Sequence, residues 1–186
     1  MSAATSVTPA QHPLILYLDT SALVKLYAEE SGRREVQDSV QAARVVAVSE
    51  IGYAEACSAL ARKEREGLFT ADEHDDAVDQ LQQDYQEVYL SRPVSGDLIA
   101  RAGALARKHA LRAYDAVHLA TALALREESD ELARRGQEEP EETSPQEVSS
   151  QDADELRVTM MTFDGSLTTA ASNEGLAHPQ QTSHEE

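Results

Sequence analysis

The apolar positions of this chain fall into short uninterrupted runs, separated by longer stretches in which they recur at helical spacing. Leu14-Ile-Leu-Tyr-Leu18 follows Pro13 and closes on Asp19, which predicts a buried strand carrying an acid at its C-terminal end. Val45-Val-Ala-Val48 predicts a second strand, Val88-Tyr-Leu90 a third and Val158 to Phe163 a fourth. Asp19-Thr-Ser21 supplies cap residues for a short helix over Ala22 to Tyr27 that stops near Gly32. Ser49 opens a longer helix, rich in alanine and leucine, that runs to about Glu66 with Gly67 as its stop. Thr70 and Glu73 stand at the spacing of a capping box and open a polar helix through roughly Tyr85. Helical spacing returns from Ser95 to His109 and from Ala113 to Arg126, and after the Asp164-Gly165 turn a brief helix spans Ser166 to Ala171.

Strands alternating with helices predict an α/β fold, a three-layer α/β/α sandwich around a mostly parallel sheet with right-handed crossovers. Asp19 and Asp164 then follow the first and last strands, at the sheet edge where parallel folds place their ligands. A single domain is expected over residues 14–172, flanked by flexible tails at 1–12 and 173–186. One stretch breaks the pattern. From Glu127 to Arg157 the chain is rich in Glu, Ser, Gln and Pro and poor in aromatic and β-branched residues, so a disordered acidic insertion is expected at about 127–157.

Charge modifies this picture only after it is located. The net charge of −18 opposes binding to a phosphate backbone, which depends on lysine and arginine displacing counterions. Half of it, however, lies in the Glu127 to Arg157 stretch, with 12 acids against 3 bases, and the remaining chain is only moderately acidic. Cys57 is the single cysteine, so there is neither an intramolecular disulfide nor a cysteine-based zinc cluster. Met1 to His12 has neither the charge nor the apolar run of a leader, and no apolar stretch is long enough to cross a bilayer. A soluble, cytoplasmic protein without membrane contact is expected.

The candidate chemistry lies in four acids: Asp19 and Asp164 after predicted strands, Asp115 in the first turn of a predicted helix, and Glu55 inside another. Hydrolysis of a phosphodiester needs water activated and charge on the leaving oxygen neutralised, both of which Mg2+ ions supply. Such hard cations take oxygen ligands and require no histidine or cysteine. On this reading Asp19 and Asp115 bind metal directly, while Glu55 and Asp164 complete the metal site, orient the water or bind a second ion. Hydroxyls of Thr20, Ser21 and Thr162 stand beside these acids and can hold them by hydrogen bonds. Each acid also has a plainer reading: Asp19 as a helix N-cap, Glu55 as a solvated helix position, Asp115 as a first-turn acid and Asp164 as a turn former. His118, three residues after Asp115, reads as a packing or surface histidine outside the site. Lys25, Arg33, Arg34, Arg62, Lys63, Arg65, Arg107, Lys108 and Arg112 are candidates for phosphate contacts, though most read as scattered solvated charge. There is no Gly-rich phosphate loop and no serine or cysteine nucleophile motif.

Four segments, Leu16-Tyr-Leu-Asp-Thr-Ser-Ala-Leu-Val-Lys-Leu-Tyr27, Ser49-Glu-Ile-Gly-Tyr-Ala-Glu55, Tyr114-Asp-Ala-Val-His-Leu-Ala-Thr-Ala-Leu123 and Thr162-Phe-Asp164, together resemble the PIN-domain ribonucleases, and within them the VapC-type toxins. The resemblance runs from about Leu14 to Ala171. It implies an α/β/α nuclease that uses Mg2+, or alternatively Mn2+, to cut RNA, that often forms a homodimer, and that a small antitoxin protein holds inactive. Carried over by position, it assigns metal binding and catalysis to Asp19, Glu55, Asp115 and Asp164. The Glu127 to Arg157 stretch departs from the family pattern, which passes to the last strand through a short connection. It reads as a tolerated loop, with an internal mimic of nucleic acid as the alternative. Two contrasting functions use the same fold: a catalytically idle protein-binding module, and a housekeeping RNA-processing nuclease.

Overall fold

The computed structural model describes residues 15–138 and 157–179. Four strands form one parallel sheet in the order β3-β2-β1-β4, from β1 (Ile15–Leu18), β2 (Val45–Ser49), β3 (Leu90–Arg92) and β4 (Val158–Met161). Alternation along β1 sends Tyr17 to one face and Leu16 and Leu18 to the other. The Tyr17 face packs under α5 (Gly96–His109), α6 (Ala113–Glu138) and α7 (Gly165–Asn173). The Leu16 and Leu18 face packs under α1 (Thr20–Leu23), α2 (Arg33–Ala42), α3 (Glu50–Arg65) and α4 (Ala71–Glu87). These are the three layers expected.

The elements follow their local chemistry. Thr70 and Glu73 close the expected capping box on α4, and Ser95 caps α5 through the Leu98 amide. The helix expected over 22–27 is one turn of α-helix continued by a 3-10 turn at Val24–Leu26. The third strand begins two residues later than expected, because Val88 ends α4 and stays exposed. Helix α2 had no counterpart in the apolar pattern, since only Val36 and Val40 mark its inner face. It starts at Gly32, whose φ of 87° is a backbone state that favours glycine, and where an added Cβ would come within 2.7 Å of the Phe163 ring.

Helix α6 continues to Glu138, twelve residues beyond the expected end, so the first part of the acidic stretch is helical. Leu125 and Ser129 are buried, while Glu127 and Glu128 pair with Arg101 on α5 and Arg92 on β3. Within the helix Arg135 reaches Glu131 one turn back. These contacts continue the helix where composition alone suggested none. Residues 173–179, expected to begin a tail, return to the sheet: the Met160 amide donates to the Ala177 carbonyl, and His178 meets the Thr162 carbonyl. The N-terminal tail 1–12, residues 139–156 of the acidic stretch and residues 180–186 lie outside the described residues.

Candidate active site

Strand order places β4 and β2 on opposite sides of β1, so the crevice beyond the C-terminal ends of β1 and β4 is a topological switch point. The register pairs Leu18 with Met161, which sets Asp19 beside Thr162 across the strand ends. The Asp19 amide donates to the Met161 carbonyl at 3.2 Å. The residue is 4% exposed, and its carboxylate accepts the Thr162 hydroxyl at 2.6 Å, the Ser21 hydroxyl at 2.8 Å and the Ala22 amide at 2.9 Å. Asp19 is thus an N-cap and more than an N-cap. Burial pushes its carboxyl up, against the pull of His118 and these donors, so its charge is held in place at an energetic cost.

Asp164 caps α7 by accepting the Leu167 amide at 2.8 Å, and its own amide donates to the Thr162 hydroxyl oxygen at 3.1 Å. Thr162 therefore links the two strand-end acids. Ser21 adds a second link, since its hydroxyl oxygen accepts the Phe163 amide at 2.8 Å. Asp115, in the first turn of α6, is half-buried, and its carboxyl is raised by burial and by the charges of Asp164 and Asp19, with Arg112 and His118 opposing. Asp115 thus feels the charges of both strand-end aspartates, which make its ionisation harder.

Glu55 approaches from α3 on the other side of His118. Its carboxylate accepts the Thr20 hydroxyl at 2.7 Å and lies 2.8 Å from His118 Nε2. Burial raises the Glu55 carboxyl, but the hydrogen bond and charge of His118, with the Thr20 hydroxyl, bring it below the ordinary value. Helix α3 comes this close because Gly52 carries no side chain: a Cβ there would sit 3.0 Å from the Tyr85 hydroxyl and 3.5 Å from His118.

His118 had been placed outside the site, and the structure places it at the centre. It is 2% exposed, with Nδ1 2.8 Å from the Tyr17 hydroxyl and Nε2 also 3.1 Å from the Thr20 hydroxyl. Opposite a carboxylate, Nε2 is the nitrogen that carries the proton. The signal in the sequence was its spacing of three from Asp115 on one helix. Tyr17, its buried partner, stands within an apolar run where a tyrosine is indistinguishable from core.

The structure therefore sets Asp19 and Asp164 at adjoining strand ends linked by Thr162, puts Asp115 within reach of their charges, and ties Glu55 to Thr20 and His118. Among the described residues no group of three acidic, histidine or cysteine side chains lies close enough together to hold a metal ion. The donor chemistry nevertheless fits a hard divalent cation: all candidates are carboxylate oxygens, and two of the aspartates carry charge that their surroundings disfavour. Beside Glu55 an open cleft of about 510 Å³ extends along α3, lined by Thr20, Ser58, Arg62, Arg65 and Tyr114 among others.

Comparison with known proteins bears on this geometry. A family model described as PIN domain matches residues 16–133, a span that contains Asp19, Glu55 and Asp115 and ends before Asp164. Ribonuclease VapC45 of Mycobacterium tuberculosis (strain CDC 1551 / Oshkosh) is 37% identical over 114 residues, covering 60% of this chain and 76% of that protein. Ribonuclease VapC49 of Mycobacterium tuberculosis (strain ATCC 25618 / H37Rv) is similar to the same extent, 37% over 114 residues.

Proposed function

We propose, from the premise that this chain belongs to the PIN-domain family, that it is a metal-dependent endoribonuclease of the VapC type, the cytoplasmic toxin of a toxin–antitoxin pair. One observation carries the catalytic reading: Asp19 is buried at the switch point with its charge fixed by Ser21, Thr162 and the Ala22 amide, while Asp115 feels both Asp19 and Asp164. A fold does not gather disfavoured carboxylates for stability; repulsion among them costs free energy unless a cation joins them. Asp19, Asp115 and Asp164 would hold that cation, with Mg2+ as the expected ion and Mn2+ as a substitute. When bound, it supplies positive charge against the phosphoryl oxygens and acidifies a water molecule.

The chain's own residues do the rest. Ser21 and Thr162 fix the orientation of Asp19, so no reorganisation is needed at the moment of reaction. Tyr17 holds His118, and His118 with Thr20 holds Glu55 ionised and aimed. Glu55 in that state orients the attacking water and takes its proton. The water oxygen bonds to phosphorus, the bond from phosphorus to the leaving ribose oxygen breaks, and that oxygen is protonated from solvent. The RNA strand is thereby cut by addition of one water. A small antitoxin protein that covers this crevice would hold the enzyme inactive, and pairing of two copies as a homodimer is compatible with it.

The test is cleavage of a mixed RNA pool by protein freed of copurifying partners. Cleavage in magnesium, its loss in EDTA, and its loss in the Asp19→Asn, Asp115→Asn double variant are expected. A folded, partner-free protein that leaves every RNA intact in magnesium and manganese would overturn the reading.

A further inference from the structure

The cleft beside Glu55 presents two arginines that enter no ion pair among the described residues. Lys25, Lys63, Arg33, Arg92, Arg101 and Lys108 are each ion-paired with a glutamate of the fold. Arg62 and Arg65 are exposed and have no ion-pair partner among the described residues, in a chain whose net charge is −18. Both lie on the face of α3 that carries Glu55, with the exposed small residue Ser58 between. At a rise of about 1.5 Å per residue they stand roughly 10 and 15 Å along the helix axis from Glu55. Across the cleft stands Tyr114, 55% exposed and next in sequence to Asp115. An aromatic ring left in solvent beside a catalytic acid buries little and stabilises little.

We propose that this cleft is the subsite for an unpaired RNA segment flanking the cut phosphate, with the ring of Tyr114 stacked on one nucleobase and Arg62 and Arg65 contacting successive backbone phosphates. The assignment rests on the ribonuclease reading above and adds the direction in which the strand leaves the acids. Stacking on an aromatic platform is open to any base but demands that the base be out of a helix. Tyr114 therefore selects for unpaired RNA, and the two arginines supply phosphate contacts on a chain whose net charge is −18.

The experiment measures binding of a short labelled single-stranded oligoribonucleotide of mixed sequence to the Asp19→Asn protein in magnesium, across a salt series. Cleavage by the parent chain is assayed in parallel. Tyr114→Ala is expected to weaken binding between about fivefold and a hundredfold, and Tyr114→Phe to restore it. Arg62→Ala with Arg65→Ala is expected to make the salt slope shallower by about 1.4, at about 0.7 per phosphate contact on a single strand. The parent should bind the single strand more tightly than the matching duplex. Unchanged affinity and slope in these variants, while the parent chain cleaves RNA, would overturn the subsite and leave the nuclease intact. Preference for the duplex would also overturn it. A parent chain that neither binds nor cleaves would overturn both readings together. The substituted side chains are exposed, so unchanged thermal midpoints would show that losses come from the subsite.

Discussion

Asp115 and Glu55 are perturbed in opposite directions, and that difference makes their roles separable. Asp115 is raised, so its contribution to stability is full below the unfolded value and lost as pH rises through the folded value; at neutral pH its charge is a burden. Glu55 is lowered, so its contribution is present above the unfolded value and lost as pH falls through the folded one. Asp115→Asn should accordingly raise the thermal midpoint near neutrality, with the gain vanishing in acid, while cleavage falls by roughly a hundredfold or more. Glu55→Gln should lower the midpoint near neutrality and converge on the parent in acid. Thermal melts across the acidic range, with cleavage assays on the same samples, check both. Ser49 offers a separate test: its hydroxyl is buried without a hydrogen-bond partner among the described residues, so Ser49→Ala should be neutral or stabilising by up to about 1–2 kcal/mol with cleavage unchanged. At this scale the places of Asp19, Asp115 and Asp164 in the fold could be read because they follow strands or open a helix, and that of Glu55 because it stands inside one, whereas the setting of His118 could not. A histidine in an apolar helix declares its role only when the tyrosine and glutamate facing it are known.

Among the elements, α3 carries the most function on the least freedom. Gly52 lets it settle against Thr20, His118 and Tyr85, and Glu55 follows one turn later. Gly52→Ala should strain that contact and cost about 1–3 kcal/mol, as overpacking does, with a loss of cleavage larger than the stability change explains because Glu55 moves with the helix. Melts and kinetics on one preparation would separate the two effects. Boundaries of α3, α4 and α5 could be read from their caps and apolar spacing, since Ser49, Thr70 and Ser95 mark starts that depend on neighbours in sequence. Helix α2 could not be read, because two valines among charged residues carry too little periodicity. The extension of α6 depends on Arg92 and Arg101, which approach it only in three dimensions.

For the whole molecule, the alternation of strands and helices was enough to foresee parallel layers, yet not the strand order, which depends on which apolar runs find each other. A divalent cation that joins the aspartates should stabilise the entire fold, so magnesium should raise the thermal midpoint of the parent and raise it less in Asp115→Asn. Replacing residues 139–156, which hold seven acids and no base, by a short Gly-Ser linker should shift stability by less than about 1 kcal/mol, because closure entropy varies slowly with length. A simultaneous gain in RNA affinity would assign those acids the role of a nucleic-acid mimic. No helix among the described residues is long and apolar enough to cross a membrane. The pairing of β1 with β4 also sets a clock. The bond from Thr162 to Asp19 spans 143 positions of sequence, and a chain made from its N-terminus folds in that order. Asp19 emerges well before β4 and the Thr162 hydroxyl that follows it. Until Thr162 has been made, a growing chain therefore holds the Asp19 carboxylate by Ser21 and the Ala22 amide alone, and its third partner waits for a strand far along the sequence.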